Sequence, residues 1–128
     1  MDLFSLPDEL TNRLPKNGTV NYYGHILKTE KANYYFQVLF NTIEWKQDAA
    51  LINGKIIYTD RKVALYGDKE YSYSYSGTTK KALSWTKELL DLKQLVEEKT
   101  NTSYNSCLLN LYHNGEEGMA WHSDDEKS

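Results

Sequence analysis

Disulfide bridges, membrane spans and a strong basic charge are all missing from this sequence, and each absence excludes a class of protein. The single cysteine, Cys107, cannot form an intramolecular disulfide, which fits a reducing compartment. It stands in the apolar run Cys107-Leu108-Leu109, where a buried structural thiol is expected rather than a nucleophile. No stretch approaches the ~18 apolar residues of a membrane span. The start, Met1-Asp2-Leu3-Phe4-Ser5, is acidic and too short in apolar character for a secretory leader. A cytoplasmic protein without a membrane partner is expected, and the glycosylation patterns at Asn17 and Asn101 are then chance matches. The net charge of −3 gives no broad electrostatic footprint for nucleic acid, although a local basic patch fits within such a total. Proline is also scarce: both prolines, Pro7 and Pro15, fall in residues 1–19, which read as an irregular lead-in.

What is present is an ordinary globular composition, 40% hydrophobic and 26% charged, in a chain long enough for one domain over residues 1–128. Eleven tyrosines suit a sheet-rich fold or a surface that stacks planar ligands. Val20 to Leu27 alternates loosely and is expected to form a first strand. Thr29 then reads as the N-cap of an amphipathic helix. Its apolar residues Ala32, Tyr35, Phe36, Leu39, Phe40 and Ile43 share one face and are expected to pack in the core. In Ala50-Leu51-Ile52-Asn53-Gly54-Lys55-Ile56-Ile57-Tyr58, the Asn-Gly pair between apolar runs predicts a tight hairpin. Val63 to Tyr66 and Tyr71 to Tyr75 are further short strands. Strict alternation puts the rings of Tyr71, Tyr73 and Tyr75 on one face, either packing on the core or forming a wall for planar rings. A second helix spans roughly Ser84 to Lys99, with Trp85, Leu89, Leu92 and Val96 on one face and Asn101 near its end. Tyr104 to Tyr112 reads as a strand, His113 to Gly118 as a polar loop and Met119 to His122 as another strand. Two helices among short strands predict an α+β domain whose sheet half is a sandwich or barrel.

The sharpest chemical feature is Trp121-His122-Ser123-Asp124-Asp125-Glu126. On a strand, His122 and Asp124 would aim an imidazole and a carboxylate at one point, two parts of the facial triad that holds iron(II). A zinc hydrolase would need more His or Cys nearby, and His25 and His113 are distant in sequence. A calcium loop is absent. Ser123 lacks the glycine-flanked elbow of a nucleophile. Alone, His-x-Asp is a weak signal; its neighbours add to it.

The run Asn105-Ser106-Cys107-Leu108-Leu109-Asn110-Leu111-Tyr112-His113-Asn114-Gly115, followed by His122-Ser123-Asp124-Asp125-Glu126, resembles the AlkB family of iron(II)- and 2-oxoglutarate-dependent dioxygenases, in its nucleic-acid dealkylase branch. A second block, Arg61-Lys62 through Tyr66-Gly67-Asp68 to Tyr73-Ser74-Tyr75-Ser76-Gly77, carries the same resemblance, which extends over about residues 20–128. The resemblance implies a double-stranded β-helix (jelly roll) with N-terminal helices packed on it. Residues 20–103 would hold the helices and a nucleotide-recognition region, and residues 104–128 would begin the jelly roll. The cofactors implied are Fe(II) and 2-oxoglutarate. His122 and Asp124 would ligate the metal, and Asn110 and Tyr112 would reach 2-oxoglutarate. Glu126 would contact the damaged base, Tyr73, Tyr75 and Ser76 would line its pocket, and Arg61 would lie near the substrate strand. The implied reaction hydroxylates an N-alkyl carbon of DNA or RNA, after which the base is restored and an aldehyde leaves, as in alkylation damage repair.

Two features shape these expectations further. The hairpin tip Ile52-Asn53-Gly54-Lys55 is a good turn but a poor wedge for a base stack, and with the negative net charge it favours single-stranded over duplex nucleic acid. The resemblance also implies further strands, a distal iron His and 2-oxoglutarate-binding arginines beyond Ser128. The chain is therefore expected to be a truncated portion of the jelly roll, weakly active or inactive alone, or completed by strand exchange in a dimer. Two other readings stand beside this one: a hydroxylase of protein or small molecules on the same scaffold, and a non-catalytic fragment that binds a nucleotide or a partner.

Overall fold

A computed structural model describes residues 8–70, 72–75, 78–119 and 121–122, with the backbone alone for residues 72–75 and 78–80. The chain divides into two compact units, residues 1–37 and 38–128.

In the first unit, polar side chains take over the backbone groups that a ladder would otherwise pair. The Asn12 carboxamide oxygen accepts from the amides of Leu14 and Val20, and its NH2 donates to the Gly18 carbonyl. Residues 20–27 form no strand, against the sequence expectation. Asn12 already takes the Val20 amide, and Gly24, at φ +70°, breaks the extended run. Helix α1, Thr29–Thr42, begins one residue earlier than expected: the Lys28 carbonyl accepts from the Ala32 amide, so Thr29 is already helical.

The second unit is built on one long strand. β1 (Lys46–Ile52) and β2 (Lys55–Gly67) form the predicted hairpin, and Asn53 and Gly54 take φ +50° and +75°, as a primed turn requires. β2 runs the second arm of the hairpin and Val63 to Tyr66 together as one strand. Short strands β3 (Ser72–Tyr75) and β4 (Thr78–Lys81) pair antiparallel, and β5 (Leu83–Ser84), where Ser84 was expected to start the second helix, runs parallel to Tyr66 and Gly67. Helix α2 (Lys87–Thr100) is capped at its start by the Thr86 hydroxyl, which accepts from the Leu89 amide, and at its end by Asn101 in the left-handed conformation. β6 (Ser106–Leu111) returns antiparallel along β2, on the edge opposite β1 and β5.

The two faces of this sheet differ. Ala64 and Tyr66 of β2, with Cys107 and Leu109 of β6, face the helices and pack with Ile43 and Leu89. Leu39, Trp45, Leu83 and Trp85 fill the margin of this cluster. The Trp45 indole N–H donates to the Leu39 and Phe40 carbonyls and so closes the end of α1, while the Tyr66 hydroxyl accepts from the Glu44 amide. The predicted apolar stripe of α1 is core only at its C-terminal end: Ile43 is buried, whereas Phe36 and Phe40 are 59% and 48% exposed.

The opposite face carries Arg61, Val63 and Leu65 of β2, with Leu108 and Asn110 of β6 beside them. The α+β class is thus established. Among the described residues the sheet is a single mixed four-stranded one with a separate two-stranded ribbon, and Met119, Trp121 and His122 form no strand, against expectation. Trp121 is fully exposed, so the pairing and packing that would draw this segment into a ladder are missing there.

Candidate active site on the sheet face away from the helices

A break in the β1–β2 ladder organises this face. Gln47 pairs with Lys62 but Ala49 pairs with Tyr58, so three residues of β2, Thr59 to Arg61, stand opposite Asp48 alone. Such a bulge re-aims side chains. The Thr59 hydroxyl bridges it, lying 2.8 Å from the Arg61 carbonyl and 3.4 Å from that of Asp48.

Inside the bulge, Arg61 Nη2 lies 2.6 Å from Asp48 Oδ2, and both residues are buried. The other Asp48 oxygen accepts from the Ala49 amide. Arg61 Nη1 donates to Asn110 Oδ1 across the ladder, at 2.5 Å. A guanidinium can only donate, so the carboxamide of Asn110 must turn its oxygen to Arg61 and its NH2 away. Asn110 is itself exposed, and so is Tyr112, one residue past β6. The face therefore offers an amide donor and a phenol from two residues that sit i and i+2 in sequence. Both are donors suited to an oxyanion.

The loop after Tyr112 is held by Glu117. Its carboxylate accepts from the His113 amide at 2.8 Å and lies 2.8 Å from His113 Nδ1. The backbone donor, then the imidazole, hold the Glu117 carboxyl below the usual range. This clasp ties the segment after Tyr112 together over residues 113–117, and His122 further on is exposed.

Of the residues singled out from sequence, the structure brings Arg61 and Asn110 into direct contact, with Tyr112 two residues on. Arg61 is a buried link here, its guanidinium engaged on both sides. Asp124, Glu126 and Ser76 lie outside the described residues, as do the side chains of Tyr73 and Tyr75. Among the described residues no group of three His, Cys, Asp or Glu side chains is arranged to hold a metal. Asp48 was missed by sequence reasoning; the available signal was a lone acid in the strand Lys46–Ile52, on the partner strand of an arginine.

A pocket of about 260 Å³ lies on the opposite face, among Trp85, Leu89, Leu92, Cys107 and Leu109. Its lining is almost wholly apolar, which suits packing and not an anionic co-substrate. Burial there pushes the Cys107 thiol up from its ordinary value, in keeping with the structural role expected of it. No helix among the described residues is long and apolar enough to cross a membrane.

With this geometry in place, the comparison with known proteins is decisive: the model of the 2OG-Fe(II) oxygenase superfamily matches residues 19–128. The chain belongs to that superfamily. Its relatives are of the AlkB type, as the sequence resemblance implied. The alpha-ketoglutarate-dependent dioxygenase alkB homolog 3 of Bos taurus is 37% identical over 77% of this chain and 34% of the relative's own length. The human protein of the same name is 33% identical over 83% of this chain and 37% of its own. The DNA oxidative demethylase ALKBH2 of Bos taurus is 31% identical over 76% of this chain and 36% of its own. The chain thus spans little more than a third of these relatives. The cofactors of this AlkB-type oxygenase family are Fe(II) and 2-oxoglutarate.

Proposed function

We propose that this chain contributes to the oxidative dealkylation of N-alkylated bases in DNA or RNA, with single-stranded nucleic acid preferred to duplex. The observation that carries the reading is the outward amide of the exposed Asn110, two residues before Tyr112, on the sheet face away from the helices. A dicarboxylate needs such donors, so the described residues fit 2-oxoglutarate. For iron, the exposed imidazole of His122 is a suitable donor, and Asp124 is the partner proposed with it. Iron(II) and 2-oxoglutarate, when bound, supply the oxidising chemistry. The chain's own part is to orient and to exclude water. Asn110 and Tyr112 would hold the co-substrate carboxylates, Glu126 would accept from the damaged base, and Tyr73, Tyr75 and Ser76 would line its pocket, with Arg61 behind them.

The hairpin supports a nucleic-acid partner in a specific way. Its tip, Asn53-Gly54, is polar, but its flanks expose Ile56, Ile57 and Tyr58 at 59%, 48% and 64%. Apolar and aromatic surface of this kind stacks unpaired bases more readily than it separates paired ones. The deciding experiment is turnover of oligonucleotides carrying N-methylated bases, single- and double-stranded, with formaldehyde and succinate both quantified. Aldehyde release that needs iron and 2-oxoglutarate and disappears in His122→Ala supports the reading. Coupled turnover on a methylated peptide or small molecule, with none on either nucleic acid, sinks it.

A further inference from the structure

We propose that Asp48 is a positioning residue for the co-substrate site: through Arg61 it locks the Asn110 carboxamide with its NH2 turned outward. The inference rests on the reading above that Asn110 meets 2-oxoglutarate, and adds a residue that this reading does not contain.

The argument is one of hydrogen-bond sense. An exposed asparagine side chain with no fixed partner turns over readily, because its oxygen and nitrogen ends have nearly the same shape. A carboxylate ligand can use only the nitrogen end. Arg61 removes the ambiguity, since its Nη1 can donate to Asn110 Oδ1 but can accept nothing. Arg61 in turn has a long flexible stem, and its fork would wander without an anchor. Asp48 supplies that anchor at 2.6 Å, from a side chain only 5% exposed and itself held by the Ala49 amide. The bulge at Thr59 to Arg61 is what allows the acid and the fork to meet. The chain of control runs from bulge to acid, from acid to guanidinium, and from guanidinium to amide. Such a support holds a ligand-binding group in one orientation before the ligand arrives.

Two measurements on the intact protein test this. In the metal-free state, the Asn110 side-chain NH2 pair in a 15N–1H spectrum, assigned by its disappearance in Asn110→Asp, should shift or broaden in Asp48→Asn. The backbone amides of Leu109 and Leu111 should stay in place. Calorimetry of 2-oxoglutarate binding, with Mn(II) in place of iron to prevent turnover, gives the second. Asp48→Asn should weaken binding about tenfold, the equivalent of one well-aligned charged hydrogen bond. The same change should cost nothing in an Asn110→Ala background. A merely structural Asp48 would cost the same in both backgrounds, and that result, or an unmoved NH2 pair, overturns the proposal. Should Asp48→Asn fail to fold, Arg61→Lys serves, because lysine keeps a cation for Asp48 but loses the second arm to Asn110. If the wild type binds no 2-oxoglutarate, the functional reading fails, and the spectrum still decides whether Asp48 positions Asn110.

Discussion

Arg61 Nη2 and Asp48 Oδ2 lie 2.6 Å apart, with side chains 7% and 5% exposed, so the two strands of the hairpin are joined at their bulge by a buried ion pair. Burial makes the pair sensitive to the loss of one partner. Asp48→Ala leaves a guanidinium with no anion in a place that water barely reaches, and should destabilise the fold by about 3–5 kcal/mol. Replacing both partners together, as in Asp48→Leu with Arg61→Met, should cost less, because the guanidinium and the carboxylate leave together. Urea denaturation of the single and double variants measures both; a double variant as unstable as Asp48→Ala would mean that shape, not charge, governs the site.

The hairpin turn gives a second test. Gly54 sits at φ +75° and a Cβ added there would meet nothing within 4 Å. Gly54→Ala should therefore cost about 1–2 kcal/mol by backbone strain alone, with no steric penalty to relieve. Asn53, at φ +50°, tolerates its conformation better than most residues, so Asn53→Gly should be close to neutral. Thermal unfolding of the two variants should separate them, and equal melting temperatures would contradict the turn geometry.

These two sites also show what the sequence made legible. Asn53-Gly54 announced its turn because the φ signs it needs exclude nearly all other pairs. Helix α2 was legible in its apolar face, with Leu89, and in Asn101 near its end, but its start was expected at Ser84, which instead pairs in β5, with Thr86 as the cap. The family was legible as a resemblance carried by two blocks, one around Asn110, Tyr112, His122 and Asp124 and one from Arg61 to Gly77. Long-range relations were not legible. The sequence puts Asp48 and Arg61 thirteen residues apart, and only the bulge brings them together. The failed strand at residues 20–27 and the exposed Phe36 and Phe40 have one cause. Alternation and helical stripes mark what a segment could bury, while a neighbour decides whether it does.

Cys107 offers a chemical check on the packed face. Burial pushes its thiol above the ordinary cysteine value, so little thiolate forms near neutral pH in the folded chain. Alkylation by iodoacetamide at pH 8 should be slow in the native protein and should reach the rate of a free thiol in denaturant. A native rate within a few-fold of the denatured one would show that the apolar pocket around Cys107 opens freely.

The loop between Tyr112 and His122 should respond to acid. Glu117 accepts from the His113 amide and pairs with its ring, and these contacts hold its carboxyl below the usual carboxylate range. A carboxyl depressed in the folded state contributes stability above its unfolded pKa, and that contribution is lost as pH falls through the folded value. The clasp should thus hold through the ordinary carboxylate range and release only below it. Because the clasp is local to residues 113–117, the global fold should barely notice. The His113 amide should report it instead, losing its hydrogen-bonded chemical shift in an acid titration, and Glu117→Gln should weaken the clasp at every pH while removing this titration. An amide shift that is flat from pH 6 to pH 3 would mean that Glu117 does not hold the loop.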